Sequence, residues 1–424
     1  MAEIPAGLKA AKRAVEQELL NKPGVVGVGI GYKEVGGKRT DTMSIRVFVE
    51  QKRDVPDEER IPPTVQDYPT DVLESRYELH DRVVSDEDMV PLDRPRPGAE
   101  AKKYDPVVGG ISIGPQRLVG GVASVGTLGA VVEDSETHEP LLLSCFHVLA
   151  VDRSGAEGDP IVQPGRPDGG AGDRYVVGRL VRSALGERVD AAVASTTRAV
   201  KGEIVGIGPV QGAGTAEIGQ TVRKQGRSSG LRYGVVDTVE LSVQIRYGGG
   251  IGLITLDDQI NVKPDTDRNA SFGNRGDSGA ALVDDDNRVV GLYVAGDPAN
   301  GNGMASPIAA VLSALKVDIF TGSAPAPEAP GTPTPEPQPP EPGPGLGPAP
   351  PCAPFRPPLV PPPSLPPPCL PPPCLPPPCL PPPCLPPPCL PPPCLPPPCL
   401  PPPCLPPPPC LPPPPCVPPP CLPT

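Results

Sequence analysis

Hydrophobic and polar positions change period several times along this chain. Residues 7–21 place Leu8, Ala11, Val15 and Leu19 on one helical face, and Asn21-Lys22-Pro23-Gly24 stops the helix. Residues 25–32 then read as a strand thinned by glycine, and residues 44–50 as a second, with Ile45, Val47 and Val49 on one face. A third short strand is expected near residues 70–74. Together these predict a small α+β unit over residues 1–78. Gly27-x-Gly29-x-Gly31 has neither the spacing nor the following helix of a dinucleotide-binding turn, so it reads as a glycine-rich strand. Residues 79–103 are polar, acidic and interrupted by Pro91, Pro95 and Pro97, the pattern of a linker.

From Tyr104 to about Phe320 the apolar runs are short, β-like and punctuated by Gly, Asp and Asn. Residues 128–132, 140–144, 175–180, 191–194, 234–243, 279–283 and 288–294 each predict a strand. Asp284-Asp285-Asp286-Asn287 falls between two of them and reads as a hairpin turn ahead of a Ca²⁺ loop. Ser306-Pro307 has the form of a helix start, N-cap then proline, with Ile308, Val311, Leu312 and Leu315 following at helical spacing. Many short strands closed by one C-terminal helix predict an all-β barrel domain over residues 104–320.

Composition adds a boundary. Of the 74 prolines in 424 residues, 55 follow residue 321, and so do 12 of the 13 cysteines, leaving Cys145 alone in the body. Residues 321–424 thus form a separate proline-rich tail that repeats Leu-Pro-Pro-Pro-Cys, expected to be disordered as a globule and locally polyproline II. On such a rod neighbouring cysteines stand roughly 15 Å apart, too far for a disulfide or a shared tetrahedral metal site. The tail reads as a low-complexity spacer; the alternatives are cysteine crosslinking to other tails, loose soft-metal capture, and docking of proline-binding modules. The first 321 residues carry a net charge of −10 and no Lys/Arg block, which argues against nucleic acid as a partner. No apolar stretch reaches the length of a membrane span, and no secretory leader is visible, so a cytoplasmic location is expected. The composition calls for no metal and no cofactor.

The chemistry concentrates in three places. His80 lies in the linker and His138 in a polar turn, whereas His147 follows the apolar run Leu141-Leu142-Leu143-Ser144-Cys145-Phe146. A titratable ring there is either a satisfied core histidine or a base. Gly276-Asp277-Ser278-Gly279 sets a serine between glycines on a tight turn that can expose Oγ and aim backbone N–H groups at a carbonyl oxygen. Asp190 opens the apolar strand Ala191-Ala192-Val193-Ala194, where a carboxylate can orient an imidazole. The order His147, Asp190, Ser278, at separations of 43 and 88 residues, is that of the chymotrypsin arrangement.

On these motifs, residues 104–320 resemble a chymotrypsin-like (trypsin-fold) serine peptidase domain. Residues 144–149 resemble the strand ending in the catalytic histidine, Asp190-Ala191-Ala192-Val193 the Asp-hydrophobic-Ala segment, and residues 276–279 the nucleophile turn. Residues 225–234 are similar to a glycine-rich stretch of bacterial members, and residues 158–165, with the N-terminal α+β unit, to a bacterial subgroup. The resemblance implies a double β-barrel acting on protein or peptide substrates. Ser278 would be the nucleophile, His147 the base, Asp190 its orienting acid, and the Gly276 and Ser278 amides the oxyanion hole. It also implies a substrate cleft bordered by Phe272 and by Val294, Ala295 and Gly296, with an apolar or shallow primary pocket. Val148 stands where the family often has a cysteine, so Cys145 is expected in the core outside any disulfide. No activation site that would give Asp277 a new N-terminal partner is evident. Two other readings compete with the peptidase: a non-catalytic relative serving as a binding module, and a crosslinkable structural protein acting through its tail.

Overall fold

One long strand, Gly230–Tyr247, organises the second half of the molecule. Its first residues pair with Thr221–Gly226 and its length with Gly252–Pro264. Hydrogen bonding then passes through Gly303–Pro307, Val289–Gly296 and Ala281–Val283 and returns to Thr221–Gly226. All six pairings are antiparallel, so the ring closes as a six-stranded barrel. Register shifts between Val236 and Val243 mark bulges, which let so long a strand coil around it.

The other barrel comes from residues 111–194 and the strand Val317–Ile319. Its sheet runs Val317–Ile319, Ala130–Asp134, Pro140–Ser144, Val189–Ala194, Val176–Gly186, Pro160–Val162, Ile111–Pro115, Val122–Leu128, with Arg82–Ser85 beyond the last. Only Gly129 separates Val122–Leu128 from Ala130–Asp134, so one chain segment joins strands near opposite ends of the sheet and the sheet rolls up. The protein is thus all-β with the chymotrypsin-like double-barrel fold. This computed structural model describes residues 3–79, 82–85 (as backbone) and 102–327. His80, most of the expected linker and residues 328–424 of the expected tail lie outside the described residues; the tail's expected start at residue 321 is corrected, because Ser323–Ala324 still pairs antiparallel with Val200 and Lys201. Among the described residues no helix is long and apolar enough to cross a membrane.

The N-terminal helix spans Ala6–Leu20 and is followed by Val25–Val35, Lys38–Val49 and Tyr68–Glu74. Val25–Val35 also pairs with Gly230–Tyr247, from Gly27 opposite Val243 to Gly31 opposite Thr238, so this sheet is continuous with the barrel's. Its glycines have a steric reason: a Cβ on Gly31 would stand 2.7 Å from the Asp237 carbonyl oxygen. Leu8, Ala11, Leu19, Ile30 and Ile45 share one buried cluster with Val222, Val236, Ile260, Phe272 and Tyr293 of the barrel. Arg46, with a fully buried side chain, joins the two parts by ion-pairing to Asp237 and to Glu34 at 2.9 Å.

Two local expectations meet different outcomes. Asp284 to Asn287 does form the hairpin turn: Asp284 Oδ1 accepts from the amides of Asp286 and Arg288, and Asn287 is left-handed with φ +61°. The C-terminal helix, Ile308–Leu315, has Pro307 at its N-cap rather than at its first helical position. Ser306 belongs to the preceding strand and donates its hydroxyl to Gln259 Oε1 at 3.0 Å, a buried bond that takes the cap away.

Candidate active site

Strand register brings the histidine and the aspartate together. Pro140–Ser144 lies beside Val189–Ala194, with Ser144 opposite Ala192, so the turn after the first strand faces the opening of the second. His147 sits in the single helical turn Phe146–Leu149. Its Nδ1 meets Asp190 Oδ2 in a short hydrogen bond, and its amide donates to Oδ1 at 3.2 Å. A carboxylate accepts and cannot donate, so it selects the tautomer with the proton on Nδ1 and assigns basicity to Nε2. Tyr247, at the end of the long strand, donates its hydroxyl to Asp190 Oδ2 at 2.7 Å and stands edge-on to the imidazole at 6.1 Å. Asp190 is fully buried and His147 2% exposed. Burial strips solvent from the carboxylate, and three donors replace it.

Ser278 comes from the other barrel. Gly279 has φ +92°, and a Cβ there would stand 2.2 Å from the Thr127 carbonyl oxygen, so the turn closes only with glycine. Thr127 ties this turn to the first barrel. Its amide donates to the Ser278 carbonyl at 2.8 Å, its hydroxyl to the Gly276 carbonyl at 2.9 Å, and its carbonyl accepts from Ser144 Oγ at 2.7 Å. The Asp277 amide donates to Asn274 at 3.0 Å and the Gly279 amide to Tyr293 at 2.8 Å. Among the described residues the Gly276 and Ser278 amides meet no acceptor. The Ser278 hydroxyl donates to the Val294 carbonyl at 2.9 Å, and the residue is fully buried.

Asp277 finds an internal cation. Lys224 Nζ lies 2.9 Å from its Oδ2, with both side chains fully buried. The amides of Ser228, Ser229 and Asn274 and the Ser229 hydroxyl also donate to this carboxylate. Burial alone would raise the Asp277 pKa; the lysine and the serine contacts outweigh it and hold the group below the usual carboxylate range. A second buried pair, Arg227 with Asp168, braces the same loop.

All four expected cleft residues are buried. Val294, Ala295 and Gly296 lie in Val289–Gly296, beside Ser278. Phe272 packs in the second barrel's core cluster, its ring 6.1 Å from that of Tyr293. His138 is in a surface turn with its side chain 74% exposed. Cys145 is buried and donates Sγ to the Tyr293 carbonyl at 3.2 Å. Its sulfur, one His147 nitrogen and one Asp190 oxygen lie within 4.8 Å of one another, a set whose S, N and O donors would suit Zn²⁺. In the structure each of these atoms is already engaged within the protein. Tyr247 and Lys224 escaped the sequence reading, because each acts across strands on a residue more than 50 positions away.

The candidate site thus consists of a histidine–aspartate pair in one barrel and a serine turn in the other, tied together through Thr127. No family model matches the chain, and no curated protein matches it in sequence. Solved structures similar to it include Protease A of Thermobifida fusca (18% identity, TM-score 0.36), covering 51% of this chain and 99% of that one. Nocardiopsis protease is similar at 17% identity and a TM-score of 0.38, over 51% and 99% of the two chains. The chymotrypsin of Cellulomonas bogoriensis is similar at 20% identity and 0.35, over 51% and 98%. Likeness this distant assigns no role to any residue.

Proposed function

We propose that residues 104–320 act as a serine endopeptidase. The reading is carried by the buried His147–Asp190 pair of one barrel and the Ser278 turn of the other, which approach through Gly126, where a Cβ would meet both Val148 at 2.5 Å and the Ser278 carbonyl oxygen at 2.7 Å, with two uncommitted amides in that turn. Ser278 Oγ attacks the scissile carbonyl carbon while His147 Nε2 takes the hydroxyl proton, and the resulting oxyanion is received by the Gly276 and Ser278 amides. Such preorganised donors are worth about 2.7–4 kcal/mol each in related chemistry. His147 then returns the proton to the leaving amine, which departs as the C–N bond breaks and leaves an ester on Ser278. Water, deprotonated by the same ring, hydrolyses that ester. Asp190 remains ionised throughout and stabilises the imidazolium. A hydroxyl has one proton to give, so Ser278 must leave the Val294 carbonyl before His147 can receive it.

Covalent labelling by a fluorophosphonate tests the reading. The expected result is one adduct per chain, mapped to Ser278 after prolonged incubation and absent in Ser278→Ala. Failure of the folded protein, and of the cleft-opening variants described next, to form any adduct would remove it.

A further inference from the structure

The edge strand beside Ser278 is already occupied by the protein's own N-terminal chain. Glu78–Leu79 pairs antiparallel with the end of Val289–Gly296, Leu79 opposite Ala295 and Glu78 opposite Gly296. An extended peptide is recognised at a sheet edge by the same ladder of backbone hydrogen bonds, and one edge accommodates one strand at a time. We propose that the N-terminal region holds this site in a self-inhibited form, with residues 75–79 lying along the cleft edge as a substrate-like strand. The inference rests on the peptidase reading above and concerns how that site is regulated.

The strand is fastened by side chains as well as by its ladder. The Ser75 hydroxyl and the Arg76 amide both donate to Asp297 Oδ2, at 2.8 and 2.9 Å, directly after the paired edge. Tyr77 is buried, stacks edge-on against Phe48, and donates its hydroxyl to Asn261 Oδ1 at 3.0 Å. Glu78 pairs at 3.2 Å with Arg275, three positions before the nucleophile. Beyond it, Arg82–Ser85 pairs antiparallel with Val122–Leu128, Arg82 opposite Val125. That strand contains Thr127, whose amide donates to the Ser278 carbonyl. The N-terminal chain therefore adds a strand to each barrel beside the nucleophile. The nucleophile itself is fully buried and gives its proton to Val294, the residue next to the occupied edge.

The test compares three full-length proteins: the parent, the double variant Glu78→Pro with Leu79→Pro, and Tyr77→Ala. Adjacent antiparallel pairs alternate between bonded and non-bonded, so one of the two prolines removes a ladder N–H whichever pair carries the bonds. Tyr77→Ala removes the deep anchor instead. The rate of fluorophosphonate adduct formation at Ser278 and the cleavage of a short peptide ester are measured alongside thermal unfolding. Both variants should label and turn over about tenfold faster or more than the parent while keeping a cooperative melt. Equal rates in all three folded proteins would overturn self-inhibition and leave the peptidase reading standing. No adduct in any folded protein would overturn both.

Discussion

Asp190 is useful to His147 only while it stays ionised and fixed, and at this buried position both conditions depend on neighbours. Tyr247 is one of them, donating at 2.7 Å to the oxygen that also meets Nδ1. Removing a hydrogen bond to a charged group costs about 1.5–3 kcal/mol, so Tyr247→Phe should lower kcat by roughly tenfold or more. KM should stay near its parental value, since on the proposed reading the tyrosine touches the carboxylate and not the substrate. Steady-state kinetics on a peptide ester separates the two; a loss confined to KM would contradict the positioning role. Lys224 carries a second residue-scale prediction. Lys224→Met strands the buried Asp277 carboxylate and should cost about 3–5 kcal/mol of stability at neutral pH. The sign with pH follows from the direction of the Asp277 shift. Its folded pKa is depressed, so its contribution is complete above the ordinary carboxylate value, about 3.9, and is lost as pH falls toward the depressed one. Without the lysine, burial pushes the carboxylate up instead, so the variant's deficit should be largest at neutral pH and shrink as pH falls and Asp277 takes up a proton. Urea unfolding between pH 7 and pH 3 reads both effects. His147, Asp190 and Ser278 were legible in the sequence because each interrupts an apolar strand or sits on a glycine turn. Tyr247 and Lys224 were not, because a tyrosine or lysine in a strand looks the same whether it faces water or a buried acid.

At the level of elements, the turn at residues 276–279 is shaped less by its own sequence than by the strand packed beneath it. Thr127 uses its amide, hydroxyl and carbonyl to bind Ser278, Gly276 and Ser144, which joins the two barrels at the Ser278 turn. Gly279 fits there only without a side chain. Gly279→Ala adds a left-handed φ that alanine resists by about 1–3 kcal/mol to a Cβ clash against the Thr127 carbonyl. It should abolish Ser278 labelling and lower the melting temperature; retained labelling would show that the turn can open without losing its geometry. The short strands of the barrels were readable from their apolar runs, and the hairpin at Asp284 from its turn residues. What the pattern could not yield was pairing. The unbroken length of Gly230–Tyr247, and the loss of Ser306 as a helix cap to Gln259, both follow from partners far away in sequence.

Across the whole molecule, the sequence separated an α+β unit from the barrels by composition, yet no physical seam follows that division at its sheet. Val28 lies opposite Ser242 in a continuous ladder, and Leu8 and Leu19 pack in the same cluster as Val262, Phe272 and Tyr293. Elements that share a core lose their stability together, because unfolding one part exposes apolar surface on the other. The N-terminal unit and the second barrel should therefore unfold in a single transition. Leu8→Ala, at a fully buried position, should cost about 2–5 kcal/mol and should lower the same midpoint that Val262→Ala lowers. Urea titrations followed by far-UV circular dichroism and by hydrogen exchange at amides of both parts make the comparison. If Leu8→Ala instead releases an early transition confined to residues 3–79 while the barrel holds its midpoint, the two parts are energetically separable. The self-inhibitory strand would then lift off by local unfolding of the N-terminal unit. If the transitions coincide, that unit is a permanent wall of the fold, and the strand at residues 75–79 can leave the cleft only by breaking its own anchors at Asp297, Asn261 and Arg275.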